Sequence, residues 1–129
     1  MAKYSQVLKS TSQGRRQRWF ICGDEPAFVQ DAYELALDHV YSVNVGVTKT
    51  VFLGPDTTFQ EIANELSRDY YDERMVVVLH EAEKFKGWDE LAAFLPRVDQ
   101  SRFFIAVANG APPDTKTGWG SVFALWRAG

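Results

Sequence analysis

Short apolar runs alternate with amphipathic segments along most of the chain. Four runs are rich in branched or aromatic side chains and have the length of buried strands: Trp19–Cys22, Thr50–Gly54, Met75–Leu79 and Phe103–Ala108. The segments between them carry apolar residues at helical spacing. Strands that alternate with helices predict right-handed crossovers, and therefore an α/β fold with a three-layer parallel sheet.

The helical spacing predicts three helices. The first begins near Pro26, ends near Tyr41 and has one apolar face, formed by Phe28, Ala32, Leu35, Ala36 and Val40. A Thr-x-x-Glu capping box opens the second, whose apolar residues are Phe59, Ile62, Ala63 and Leu66. The third carries Trp88, Leu91, Ala92 and Leu95 and is ended by Pro96. After Gly110 we expect a loop that leads to a short final element with Val122, Phe123, Leu125 and Trp126.

The first strand, a glycine and the first helix follow one another in the order found at a phosphate-binding P-loop. That motif reads G-x-x-x-x-G-K-[ST], where a glycine admits the phosphates, a lysine pairs with them and a hydroxyl binds magnesium. Counted from Gly23, these three positions hold Phe28, Val29 and Gln30. None of these side chains can do that chemistry. If the architecture is of the P-loop kind, its nucleotide site is degenerate.

The residues at the end of the third predicted strand also lack the chemistry of an ATPase. ATPases of this class place two acids there, one for magnesium and one that polarises water. Here the two positions hold His80 and Glu81. Asn109 follows the fourth strand, where such proteins place a sensor of the terminal phosphate, although asparagine before Gly110 is also an ordinary turn residue. Glu81 without a lysine and a hydroxyl does not make an ATPase.

Composition limits the other classes of function. The 129 residues fit one domain, and 46% hydrophobic residues exclude a disordered chain. The net charge of −3 argues against a free-standing nucleic-acid binder. Residues 1–18 form a basic arm ahead of a domain at 19–129; its cations are Lys3, Lys9, Arg15, Arg16 and Arg18. The arm is either a solvated terminus or a segment that contacts phosphates.

Metal, disulfide and membrane sites are not indicated. His39 and His80 lie far from any cysteine at zinc-ligand spacing, so we expect no metal ion. The one cysteine, Cys22, falls in an apolar strand and is expected to be a buried small residue. The apolar runs are shorter than a membrane-spanning helix requires, so a cytoplasmic location is the expectation.

Tyr70 and Tyr71 stand between the second helix and the third strand, flanked on both sides by charged residues. One ring could cover the edge of the core. Burying both is harder because consecutive residues tend to point apart. An exposed aromatic side chain on a loop can fill an apolar pocket of a partner, so this pair is the best candidate for an interaction site.

With these residues in place, the chain resembles the N-terminal domain of the delta subunit of bacterial DNA polymerase III clamp loaders, or a phage relative. The resemblance covers about 19–109 and is carried by the apolar strand into Gly23-Asp-Glu-Pro and by the aromatic pair before the strand Arg74-Met-Val-Val-Val-Leu79. It implies an AAA+-like domain that binds the sliding clamp without hydrolysing ATP and needs no cofactor.

Carried over by position, Tyr70 and Tyr71 look like the hydrophobic pair that enters a pocket on the clamp and helps to open or hold it. Two phenols replace the Leu-Phe-like pair of the family, and the helical lid and collar of delta subunits have no counterpart. We therefore expect either a piece of a longer protein, which would also contact other loader subunits, or a short variant. DNA would be an indirect partner.

Two alternatives come from other classes of function. One is a nucleotide-binding, P-loop-like enzyme with an unorthodox loop around Gly23, served by Glu81 and Asn109. The other is a DNA-contacting module that relies on the basic arm, which strongly salt-dependent DNA binding would reveal.

Overall fold

The computed structural model describes residues 18–43, 46–68, 74–98, 102–110 and 124–127. It contains five strands: β1 (Arg18–Gly23), β2 (Val47–Leu53), β3 (Arg74–His80), β4 (Arg102–Asn109) and β5 (Ala124–Arg127). The three helices are α1 (Pro26–Val43), α2 (Phe59–Ser67) and α3 (Trp88–Phe94). Single 3-10 turns follow β2, β3 and α3, at Gly54–Asp56, Ala82–Lys84 and Leu95–Arg97. Residues 1–17 of the predicted basic arm, the pair Tyr70 and Tyr71, and Val122 and Phe123 lie outside the described residues. Arg18, predicted as part of the arm, is instead buried as the first residue of β1.

The strands form one sheet in the order β2-β3-β4-β1-β5, and every neighbouring pair is parallel. The predicted parallel α/β sheet is therefore confirmed. The final short element is β5, which pairs with β1 along Trp19–Cys22. Among the described helices, none is long and apolar enough to cross a membrane.

The core consists of two apolar clusters, one on each face of the sheet, because successive side chains of a strand point to opposite faces. Phe20 and Cys22 of β1 lie in the cluster that α2 and α3 cover. Trp19 and Ile21 lie in the cluster under α1. The central strands are buried on both faces, which is why their sequences are continuously apolar and do not alternate.

Helix α1 buries a narrower face than the sequence predicts. Val29, Ala32, Tyr33, Ala36 and Val40 are buried against the sheet, and both alanines are fully covered. Phe28 and Leu35, assigned to the same face, are each 42% exposed. They are seven residues apart and form a separate stripe at the side of the buried one, since a helix resting on a sheet covers only about 100° of its surface.

Strand β2 begins three residues earlier than predicted, at Val47. From Thr48 to Leu53 its residues alternate between half-buried and exposed. This alternation reflects its position at the edge of the sheet, where Val51 and Leu53 are 47% and 46% exposed. A search for continuously apolar runs finds only the end of such a strand.

The predicted start of α2 is confirmed. Thr58 is the N-cap, and its hydroxyl accepts a hydrogen bond from the backbone N–H of Glu61 at 3.3 Å. Helix α3 begins at Trp88 as predicted and ends in a 3-10 turn that contains Pro96.

Candidate functional site

The residues of the predicted nucleotide site lie at the carboxyl edge of the sheet. Gly23 ends β1, and its register partner on β4 is Asn109. The chain leaves β1 and β4 in opposite directions along the sheet, which opens a crevice between the ends of these two strands. Open α/β sheets usually bind ligands in such a crevice. Here the backbone N–H of Gly110 donates to the carbonyl of Gly23 at 2.7 Å. The ends of the two strands are thus tied together across the crevice.

The three positions that replace the P-loop residues fall in the first two turns of α1. Phe28 is exposed, Val29 is buried under the helix, and Gln30 donates from its side chain to Glu34 at 3.2 Å. Only Asp24 and Glu25 separate β1 from α1, and both are exposed. A two-residue acidic link offers no cation to a phosphate. The degenerate nucleotide site stays a prediction.

His80 is the last residue of β3, and Glu81 follows it. Strand β3 lies on the side of β4 opposite to β1. Glu81 has left-handed backbone angles (φ 53°, ψ 43°), unusual for a residue with a side chain. Its carboxylate accepts a hydrogen bond from Lys84 Nζ at 3.1 Å, which raises the pKa of that lysine. Next to this turn, Glu83 Oε1 accepts from the backbone N–H of Asn109 at 3.1 Å. The carboxylates near β3 therefore hold loops of the protein itself.

Two half-buried histidines have a pKa below the ordinary value of 6.5. Burial lowers the pKa of His80, the charge of Lys49 lowers it further and that of Glu81 opposes this; its ring meets Tyr33 edge-on at 5.0 Å. Burial also lowers the pKa of His39, which packs edge-on against Trp19. No three His, Cys, Asp or Glu side chains of the described ranges are grouped to hold a metal ion.

These histidines predict a loss of stability in mild acid. The unfolded chain binds protons at the ordinary pKa and the folded chain only at a lower one, so stability is complete above about pH 6.5 and falls as the pH drops below it. We expect a lower urea midpoint at about pH 5.5 than at about pH 7.5, and a smaller difference in the His39→Gln/His80→Gln variant. An equal difference in both proteins would contradict this assignment.

The sequence gives little sign of a cleft between the loops that follow β2 and β3. It has a volume of about 420 Å³ and is lined by Gly54, Pro55, Asp56, Thr57, Thr58, Phe59, Lys84, Lys86, Gly87 and Glu90. Two lysines and two carboxylates leave it without a preferred charge. Its one sequence signal is the pair of glycines. A Cβ atom at Gly54 would overlap the carbonyl of Glu81 in the opposite loop, and one at Gly87 would lie 2.8 Å from the ring of Phe85 and 3.0 Å from the Cβ of Phe59.

The described residues next to the candidate clamp-binding pair lie at the other edge of the sheet. Tyr70 and Tyr71 lie outside the described residues, but the chain on either side is described: α2 ends at Ser67, followed by Arg68, and β3 begins at Arg74. All strands of a parallel sheet begin at the same edge, so this segment joins β3 at the amino edge. The seven residues of β3 separate the two edges by about 20 Å.

Sequence reasoning also missed a polar network at this amino edge. Glu65 of α2 meets Thr50 of β2 and Arg68, and the backbone of Arg68 meets Arg102 of β4. The contacts span 15 to 34 positions of sequence, apart from the local Glu65–Arg68 pair. Only the order of strands in the sheet brings these residues together.

Comparison with known proteins bears on the fold. No protein-family model matches the chain, and no curated protein matches it. Among solved structures, it is similar to the Bacillus subtilis DNA clamp loader delta protein YqeN, with a TM-score of 0.69 over 97% of this chain. The two sequences are 13% identical, and the chain spans 42% of that protein's length. The chain therefore has a clamp-loader-like fold.

Proposed function

We propose that this protein is a non-catalytic, delta-like clamp-loader domain that binds a sliding clamp in DNA replication and helps to open or hold it. The observation that carries the proposal is the structural similarity to a clamp loader delta protein over 97% of the chain. The similarity lies in the fold, so the role is inferred from it. Other loader subunits would be further partners, with the cytoplasm as the site of action.

The carboxyl edge supports a non-catalytic role within this proposal. The link between β1 and α1 is short and acidic, and the backbone N–H of Gly110 is hydrogen-bonded to the end of β1. Lys84, a cation near the end of β3, is paired with Glu81. We infer an AAA+-like domain whose nucleotide site is degenerate.

Tyr70 and Tyr71 are the proposed contact with the clamp. An aromatic side chain that fills an apolar pocket at the centre of an interface contributes about 2 kcal/mol or more to binding. The tyrosine hydroxyl requires water or a hydrogen-bond partner once bound. Such a pair, flanked by charged residues, fits a pocket that is apolar inside and polar at its rim.

The test is a calorimetric titration of the protein with a bacterial-type sliding clamp. We expect the Tyr70→Ala/Tyr71→Ala variant to bind at least about 30-fold more weakly, since 2 kcal/mol corresponds to roughly that factor. Tyr41→Ala is the matched control, because Tyr41 is a tyrosine that is 43% exposed on α1, in a different segment of the chain. Its affinity should equal that of the wild type.

Two results would contradict the proposal in different ways. Unchanged affinity of the folded double variant would exclude the tyrosine pair as the contact but leave clamp binding intact. A folded wild type that does not bind the clamp would exclude the function. In that case an ATP titration, with Glu81→Gln as the comparison, would test the nucleotide-binding alternative.

A further inference from the structure

Strand β2 forms an open edge of the sheet. Its seven residues, Val47–Leu53, pair with β3 without a break in register, and no described strand pairs with its other side. In a parallel pair, alternate residues turn their backbone N–H and C=O groups toward the neighbouring strand, so the remaining groups of β2 point outward. Such an edge can form hydrogen bonds with one more strand.

This edge lacks most of the features that usually prevent such pairing. Exposed edge strands are commonly short, or they carry a proline, a bulge or several charges. Strand β2 has no proline and no bulge, and its one charged residue is Lys49. The opposite edge of the sheet differs, since β5 has only four residues. Strand β2 is thus the edge better suited to binding a partner strand.

One set of side chains on β2 is exposed on the α1 face of the sheet. Successive side chains of a strand alternate between the two faces. Thr50 and Phe52 face α2, because the Thr50 hydroxyl donates to a carboxylate of that helix and Phe52 packs on the cluster under it. Val47 packs on the cluster under α1, on the opposite face. The exposed residues of that second set, which we call the exposed row, are Lys49, Val51 and Leu53.

The exposed row combines apolar surface with a positive charge. Val51 and Leu53 are nearly half exposed. No carboxylate among the described residues forms an ion pair with Lys49. Its charge acts on the neighbouring strand: burial lowers the pKa of His80, the register partner of Leu53, and the charge of Lys49 lowers it further. A strand that fits the row therefore needs two apolar side chains and a carboxylate, each two residues from the next.

We propose that β2 binds an extended segment of a partner protein as a sixth strand, with apolar side chains against Val51 and Leu53 and a carboxylate against Lys49. The main-chain hydrogen bonds supply affinity, and the alternate side chains supply selectivity. The added strand is antiparallel, since antiparallel pairing is slightly more stable per residue. Its sequence pattern is then apolar-x-apolar-x-acid. This inference does not rest on the proposed clamp binding.

A second copy of this chain is the competing occupant. Two β2 strands related by a two-fold axis would pair antiparallel, and β2 contains no acid. With full overlap, Thr50 faces its own mate and the two copies of Lys49 are diagonal neighbours, about 7–8 Å apart. A shift of the axis to Lys49 places the two cations directly opposite each other, and a shift the other way shortens the ladder. Charge therefore favours an acidic partner segment over a second copy.

The experiment uses the isotopically labelled chain and two seven-residue peptides with blocked ends. One, Thr-Val-Thr-Val-Thr-Glu-Thr, carries the pattern, and the other has lysine in place of glutamate. We expect the glutamate peptide to shift the NMR signals of the β2 amides in a saturable way. It should bind at least about threefold more tightly than the lysine peptide, the size of a cross-strand charge pair.

Two charge reversals locate the contact. Lys49→Glu should reverse the order of the two peptides. Lys86→Glu is the matched control, since Lys86 is an exposed lysine in the loop before α3, outside β2, and this variant should keep the order of the wild type. Equal affinity of the two peptides for the wild type, or no binding of the glutamate peptide, overturns the proposal.

Hydrogen exchange of the free chain gives a second test. Exchange should be slow at alternate amides of β2 and fast at those between them, because only one set is bonded to β3. Slow exchange of both sets overturns the proposal, because the edge is then already covered. Sedimentation identifies the occupant in that case: a dimer indicates a second copy, and a monomer indicates another segment of the same chain.

Discussion

Replacing Gly54 with alanine is expected to lower the free energy of unfolding by about 3 kcal/mol, at the upper end of what overpacking costs. A Cβ atom there would overlap the carbonyl oxygen of Glu81 and would also lie 3.2 Å from the backbone nitrogen of Phe85. Both are main-chain atoms, and Glu81 already has left-handed angles, so the opposite loop cannot move aside cheaply. Urea unfolding measures the effect.

Gly46→Ala is the control for this substitution. Gly46 has a φ of 72°, but among the described residues no atom beyond its chain neighbours lies within 4 Å of an added Cβ. Its replacement costs only the strain of left-handed angles, about 1 kcal/mol. If Gly54→Ala destabilised the protein no more than Gly46→Ala, the close packing of the two loops would not be a determinant of stability.

Replacing Trp88 with alanine should lower the free energy of unfolding by about 4 kcal/mol, as much as the Gly54 substitution or more. Trp88 is 8% exposed at the start of α3, and its ring contacts those of Phe20 and Phe85, each with a centroid distance of 5.3 Å. Its indole N–H donates to the carbonyl of Ala82 at 3.2 Å. The ring therefore joins β1, the loop after β3 and α3 in a single cluster.

Trp88→Phe separates the two contributions of this residue. Phenylalanine keeps most of the apolar contact but removes the indole hydrogen bond to the carbonyl of Ala82, which still accepts from the backbone N–H of Phe85, so the cost should be about 1 kcal/mol. Thermal and urea unfolding of both variants give the comparison. A Trp88→Phe variant as unstable as Trp88→Ala would mean that the hydrogen bond, and not the packing of the ring, is the main contribution.

The sequence predicts the helices and strands of this fold well, but it says little about which of them pack against one another. Continuous apolar runs identify the central strands because both of their faces are buried, and the Thr58 cap identifies the start of α2. The face of α1 is harder to predict. Phe28 and Leu35 are apolar but lie beside the stripe that the sheet covers, whereas Val29 and Tyr33, which the predicted face does not include, are buried. Periodicity therefore gives the buried face only approximately.

The candidate sites show the same division. The sequence identifies which chemistry is missing at Gly23 and His80, because a P-loop requires particular side chains at fixed positions. It gives no indication that Gly110 is hydrogen-bonded to Gly23 or that Arg102 reaches the backbone of Arg68, 34 positions away. Such contacts depend on which strands are neighbours, and β4 lies between β3 and β1 only in the folded sheet.

The burial of Cys22 has a practical consequence. This one cysteine is 1% exposed and lies on β1, with β4 on one side and β5 on the other. A thiol reagent can reach its sulfur only when the structure around β1 opens. The rate at which Cys22 is alkylated in the native protein therefore measures this opening without denaturant, and it can be compared among all the variants.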